Sequence, residues 1–253
     1  MQYPAIRLLL ILVVGFSFSC TTFKKKSTLK SNKTTVLFLI DGLSVTPLKS
    51  ALEQFQMPNW RRHFALGGGN FQTARAGFPT LTYPNITSIL TSRGVDAHPI
   101  ISNQVVLNKR KVDFSLPLNL VLLNKSVEPF SIFEKLNREN IRSASFSYLF
   151  GQNATFHEAP KFSDSLEYQF KEYTELDQKQ LDSLTRFLSK NPPADWPRFI
   201  YVHLIGFDGH AHLYGPNSDK AIKFLARLDT MMKKSLELLE AGATADHSIE
   251  TIL

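Results

Sequence analysis

Two short apolar runs, Val36-Leu37-Phe38-Leu39-Ile40 and Phe199-Ile200-Tyr201-Val202-His203-Leu204-Ile205, read as strands buried on both faces. Such runs suit the centre of a parallel sheet. Residues 141–148 read as a further strand, and another is expected to lead into residue 82. Helical spacing places Leu48, Ala51, Leu52 and Phe55 on one face after Pro47, and opens a second helix at Met57-Pro58-Asn59-Trp60 that ends at Gly67-Gly68-Gly69. Helices follow at 84–92, at Ile132–Leu136 and at Asp177–Lys190, the last stopped by Pro192-Pro193. Asn217-Ser218-Asp219 caps a long helix through Leu239, with Ile222, Leu225, Leu228, Met232, Leu236 and Leu239 inward. Strands alternating with helices predict an α/β fold: a mostly parallel central sheet with helices on both faces. Stretches 104–130 and 151–176 have no clear period and read as irregular.

The chain has 253 residues, 43% hydrophobic and 20% charged, enough for one α/β domain or part of a larger one. The net charge of +7 is uneven, because Lys24, Lys25, Lys26, Lys30 and Lys33 crowd together. No aromatic residues interleave with them, and no nucleic-acid-binding motif follows. Residues 20–34 read as a Lys/Ser/Thr-rich tether beside an anionic membrane. Upstream, Arg7 precedes an apolar core ending at Ser17-Phe18-Ser19-Cys20, so residues 1–19 read as a signal peptide. Cys20 is the chain's single cysteine and resembles a bacterial lipoprotein processing site, although Ser17 stands where an aliphatic residue is usual. The expectation is an exported protein, lipidated at Cys20 and held to a membrane. Residues 35–253 form the folded domain.

Chemistry concentrates at the expected carboxyl ends of strands, where open α/β sheets place their sites. Asp41 ends the first run. Thr82 lies in Gly77-Phe78-Pro79-Thr80-Leu81-Thr82-Tyr83-Pro84-Asn85, just before a helix opened by Pro84, where free N–H groups favour an anion. Thr82 is either a helix cap or a nucleophile for phosphate chemistry. Asp208 and His212 follow the last apolar run, within Gly206 to Pro216. Carboxylates with imidazole suit zinc. Taken singly, Asp41 could be a cap and His210 and His212 exposed loop residues; together the three strand ends point to one site.

In these motifs the chain resembles the type I phosphodiesterase / nucleotide pyrophosphatase branch of the alkaline phosphatase superfamily. The residues are Ile40-Asp41-Gly42, Pro79 to Asn85, His98-Pro99-Ile100-Ile101-Ser102-Asn103, and Asp208 to Pro216. The resemblance spans about residues 35–240. It implies two zinc ions about 4 Å apart that clamp an in-line displacement on a phosphate-ester small molecule. It implies Thr82 as nucleophile, Asp41 and Thr82 on one zinc, Asp208 and His212 on the other, and Asn103 with the Thr82 N–H as oxyanion donors. His210 has no counterpart and reads as a loop residue, and Pro99 replaces a Gly. The family pattern goes on to a strand ending in Asp-His-Gly and a distant His. Asp246-His247 lacks that setting, so the ligand set reads as incomplete and the chain as the N-terminal part of a catalytic domain. The expected activity is metal-dependent hydrolysis of phosphodiester or pyrophosphate bonds. The alternatives are a catalytically inactive remnant and a phosphomonoesterase. Sulfatase chemistry needs a Cys or Ser in a Cys/Ser-x-Pro-x-Arg context, which is absent from the sequence.

Overall fold

The computed structural model describes residues 33–107, 109–114, 116, 119, 123, 131–147, 150–158 and 172–253. The expected signal peptide, Cys20, the tether before Lys33 and parts of both irregular stretches lie outside the described residues.

A five-stranded parallel sheet organises the chain, in the order β5-β4-β6-β1-β7. Its strands are β1 (Lys33–Ile40), β4 (Ser143–Phe146), β5 (Phe156–Glu158), β6 (Phe199–Leu204) and β7 (Ser248–Ile252). β2 (Gln104–Leu107) and β3 (Arg110–Asp113) form a separate antiparallel hairpin. The two apolar runs are neighbours, with Leu37 beside Tyr201 and Leu39 beside His203. β6 is buried along its whole length, as its composition requires. On β1 one face is fully buried (Val36, Phe38, Ile40), while Leu37 and Leu39 are half-covered.

Helices cover both faces. On one side Val36, Phe38, Ile40, Ile200, Val202 and Leu204 pack with α1 (Val45–Glu53), α2 (Pro58–Leu66), α5 (Tyr173–Lys190), α6 (Gly206–Tyr214) and α7 (Asp219–Gly242). On the other, Phe199 and Tyr201 pack with α3 (Thr82–Thr91) and α4 (Ile132–Arg138) through Tyr83, Ile86, Leu90 and Phe133. Each fully buried Leu or Phe contributes about 1.5–3 kcal/mol over leaving it in water, so these two clusters fix which layer each helix joins. Capping agrees with the pattern: Ser218 Oγ accepts from Ala221 N, and Ser131 Oγ from Glu134 N.

Several expectations are corrected. The strand leading to residue 82 is not formed: residues 70–81 are irregular, and 71–78 are exposed. The 141–148 strand is shorter, at Ser143–Phe146. The irregular stretches hold the β2–β3 hairpin and β5. Phe55 lies past the end of α1 with φ 57° and is exposed. Lys33 and Thr34, placed in the tether, open β1. The loop expected after β6 is helix α6, and a last strand, β7, pairs beside β1.

Candidate active site at the carboxyl edge of the sheet

Asp41 leaves β1 with its N–H donating to Leu204 O, 2.9 Å away, so the exits of β1 and β6 are tied together. Gly42 then turns with φ 69°, and a Cβ built on it would lie 2.6 Å from Asp208 Oδ1. A side chain fits neither that backbone nor that space. The turn after Asp41 therefore lies flush against Asp208 at the start of α6.

α6 is held from below. Asp177 on α5, fully buried, accepts from Ile205 N at 2.7 Å through Oδ1 and from Gly206 N at 3.0 Å through Oδ2. These are unpaired N–H groups at a helix start, where a carboxylate is favoured. Burial, with the nearby Asp41 charge, pushes its carboxyl up to about 8. The Tyr173 ring packs on Gly209, with no room for a Cβ between them. On α6, Asp208 Oδ2 and His212 Nε2 stand 3.4 Å apart, one helical turn from each other. Burial and Asp41, opposed by His212 and His203, push the Asp208 carboxyl up to about 6. His210 is not a loop residue. It is half-buried on α6, its Nδ1 donates to Gly206 O at 2.9 Å, and its ring stacks on Phe224 at 4.3 Å. It locks α6 onto α7.

The hydroxyl candidate, Thr82, is set by α3 rather than by a strand end. The helix begins at Thr82, two residues before the expected start, and Pro84 occupies its third position. Proline is tolerated there because first-turn N–H groups have no intrahelical acceptor. Leu81, not Thr82, is the N-cap residue, so Thr82 does not cap the helix. Asn85 gathers the preceding turn: its Nδ2 donates to Pro79 O at 3.0 Å and Leu81 O at 2.9 Å, and its Oδ1 accepts from Gly77 N at 2.7 Å. Asn103 Oδ1 accepts from Tyr83 N at 3.2 Å. That leaves the Asn103 Nδ2 donors for another partner beside the first turn. His98 fastens the intervening segment. Its Nδ1 accepts from Ile100 N at 3.3 Å, and its Nε2–H donates to Ser88 Oγ at 2.9 Å, which donates to Pro84 O. This network fixes a neutral tautomer, and burial accordingly lowers the His98 pKa.

His203, unremarked in the sequence, lies beneath Asp41. It is fully buried on β6, with Nε2 3.7 Å from Asp41 Oδ2 and its ring parallel to that of Tyr201. Neither ring nitrogen has a hydrogen-bond partner among the described residues. Leaving a buried polar group unpaired costs about 1–3 kcal/mol. Asp246-His247 is elsewhere. Register pairs Ser248 with Lys33, so His247 lies at the opposite edge of the sheet, where its Nε2 meets Thr34 Oγ1 at 3.1 Å.

The donor types at this edge fit a divalent cation. The Asp41 charge raises the cost of ionising Asp208, which a cation would relieve. Two donors about 2.0–2.1 Å from a tetrahedral zinc stand roughly 3.3–3.5 Å apart, which is the Asp208–His212 separation. Among the described residues no three His, Cys, Asp or Glu side chains converge on one point.

A parallel sheet of this order, flanked by helices and with Asp41 and Asp208 at its carboxyl edge, defines an alkaline-phosphatase-like α/β domain. Residues 35–252 match the family described as type I phosphodiesterase / nucleotide pyrophosphatase, and the chain belongs to that family. Human ectonucleotide pyrophosphatase/phosphodiesterase family member 1 is 28% identical over 170 residues, covering 62% of this chain and 16% of that protein. Phosphonoacetate hydrolase from Sinorhizobium meliloti 1021, solved with phosphonoformate, shares the fold with a TM-score of 0.57 at 18% identity, over 82% of this chain and 54% of that one. Murine ectonucleotide pyrophosphatase / phosphodiesterase 5 gives 0.56 at 15% identity, over 83% and 53%. The chain thus spans about half of these solved structures and a far smaller share of the human relative.

Proposed function

We propose that the chain carries the nucleophile-bearing part of a metal-dependent hydrolase acting on phosphodiester or pyrophosphate bonds of small molecules, with Thr82 as nucleophile. The observation that supports this most is the hydrogen bond from Tyr83 N to Asn103 Oδ1. It brings an amide from a separate segment to the first turn of α3, beside a Thr that is not used as a cap.

In this reading Asp41 with Thr82 would hold one zinc ion and Asp208 with His212 the other. Bound zinc would supply the positive charge that makes a hydroxyl a competent nucleophile near neutral pH. Thr82 Oγ attacks phosphorus in line with the leaving oxygen. The Oγ–P bond forms, the P–O bond to the leaving group breaks, and the hydroxyl proton is lost to solvent. Asn103 Nδ2 and the Thr82 N–H hold the non-bridging oxygens, whose charge grows in the transition state. Water then displaces Thr82 from phosphorus and restores the hydroxyl. The test is zinc-dependent hydrolysis of a nitrophenyl phosphodiester by the purified protein, with a nitrophenyl monoester alongside. Thr82→Ala is expected to abolish diester cleavage, and undiminished activity would refute Thr82 as nucleophile.

That no three such side chains converge among the described residues supports a second reading, a protein that binds phosphorylated ligands without hydrolysing them. Two tightly bound zinc ions per chain in metal analysis would count against it. The signal-like residues 1–19 and Cys20 support export and lipid anchoring of the folded domain 35–253. Loss of fatty-acid labelling in Cys20→Ala is the expected result, and retained labelling would remove the assignment.

A further inference from the structure

We propose that His203 is the positioning residue for Asp41: its buried imidazole donates from Nε2 to the Asp41 carboxylate and fixes the direction in which that carboxylate meets a metal ion. The metal rests on the function proposed above; the hydrogen bond does not.

Three independent features of the fold support it. The first is placement. β1 and β6 are adjacent and parallel, Leu39 stands beside His203, and Asp41 is tied to β6 by its N–H to Leu204 O. Side chains alternate across a strand, so Asp41 lies on the face of Leu37 and Leu39, the face that carries Tyr201 and His203. The second is approach. Nε2 and Oδ2 are 3.7 Å apart, and a movement of less than about 1 Å closes that gap to a hydrogen bond. The third is the absence of another use for the ring. It is fully buried, and among the described residues neither nitrogen has a hydrogen-bond partner. A histidine serving only the core would have its polar atoms satisfied there.

The ring is also set at a fixed angle. Tyr201 lies parallel to it, with centroids 6.3 Å apart and planes 11° apart. An imidazole held by packing can aim a carboxylate, whereas a mobile one cannot. Carboxylates that ligate metals are commonly held by an outer hydrogen bond, and losing it costs about 10–100-fold in affinity. Asp41 has the shape of such a case, because its backbone is fixed by the β6 exit while its side chain is partly exposed.

The experiment has a metal-free arm and a metal arm. In the full chain without metal at fixed pH, long-range proton–nitrogen NMR reads the His203 tautomer. The expected result is an Nε2-protonated ring that loses this preference in Asp41→Ala; a tautomer indifferent to Asp41 would overturn the proposal. In the metal arm, zinc affinity is measured by competition with a chromophoric chelator. His203→Leu is expected to weaken it about 10–100-fold with the fold intact by circular dichroism, and His203→Gln, which keeps a donor, to recover most of the loss. Equal affinities for wild type and His203→Leu would overturn it. Should His203→Leu fail to fold, the tautomer arm decides alone. A chain without phosphodiesterase activity would refute the proposed function and still leave the tautomer result to be read.

Discussion

Gly42 allows the cost of building this edge to be separated into two parts. It has φ 69°, and alanine in that conformation costs about 1–2 kcal/mol. Gly68 provides the matched control: its φ is 66°, and a Cβ there would meet nothing within 4 Å. Gly68→Ala should therefore report the backbone term alone, about 1–2 kcal/mol. Gly42→Ala adds a collision, because its Cβ would sit 2.6 Å from Asp208 Oδ1 and 3.0 Å from both Asp208 Cα and Cβ. Carbon contacts settle near 3.5–4.0 Å. The carboxylate can swing aside, but the Cα cannot, since α6 is pinned by Asp177 and by His210. Overpacking of this kind costs about 1–3 kcal/mol, bringing Gly42→Ala to roughly 2–5 kcal/mol. Urea unfolding of the metal-free chain and both variants, followed by circular dichroism, measures the difference. Equal midpoint shifts, or a larger shift for Gly68→Ala, would refute the claim that the Asp41 turn is packed against Asp208.

Asp229 on α7 accepts from Asn59 N at 3.1 Å and Trp60 N at 2.8 Å, so it caps α2 from another helix. Asp229→Ala leaves these groups unpaired and should cost about 2–4 kcal/mol in urea unfolding; a loss under about 0.5 kcal/mol would show that α2 does not depend on it. Asp177→Ala leaves Ile205 N and Gly206 N without their acceptors and should cost a similar amount while loosening the start of α6; unchanged stability would remove Asp177 as the anchor of α6. Burial lowers the pKa of His98, His157 and His247. Each is neutral in the fold and binds its proton more readily when unfolded, so their contribution is complete above about pH 6.5 and is lost as pH drops from there towards the lowered values, while the raised carboxyls of Asp177 and Asp208 contribute with the opposite sign over the same range. The slope is about 1.4 kcal/mol per pH unit for each proton taken up. Unfolding midpoints of wild type and His98→Gln at pH 7.5 and 5 check this: acidification should be less unfavourable for the variant than for wild type, and equal changes in the two would contradict it.

What was legible in the sequence depended on how strongly each segment's pattern was tied to its burial. β6 is apolar because both faces are buried and β1 because one face is buried and the other half-covered, and α5 and α7 show a clear stripe because one face is buried. α6 was hidden because Gly206, Gly209 and Gly215 read as loop, yet Gly206 and Gly209 are there for close approach to Asp177 and Tyr173. β7 was hidden because Ser248-Ile249-Glu250-Thr251-Ile252 alternates weakly, as an edge strand with alternating exposure does. Asp41, Thr82, Asn103, Asp208 and His212 stand out as candidates through motif spacing. His203 does not, since one His in an apolar run usually marks a satisfied core residue. The available signal was its register: it is an inward position on the face of Asp41, near the strand's end.

The two halves of the proposed site depend on different packing. Asp208 and His212 ride on α6, which is clamped by α5 and α7 within the larger apolar cluster. Thr82 and Asn103 ride on α3 and the segment bonded to it, which belong to the cluster on the opposite face of the sheet. Between them lies the edge of β1 and β6, with Asp41, Gly42 and His203. A core change on one face should therefore disturb one half and leave the other in place, because coupling must pass through that edge. Phe133, fully buried against Phe199 and Tyr201, lies on the α3 face. Phe133→Leu should loosen the Thr82 half, and through Tyr201 the ring of His203, before it affects Asp208 and His212. Hydrogen exchange at Tyr83 N and Gly209 N distinguishes the two halves. Faster exchange at Tyr83 with Gly209 unchanged is expected, and equal acceleration at both would mean that the edge behaves as a single rigid unit.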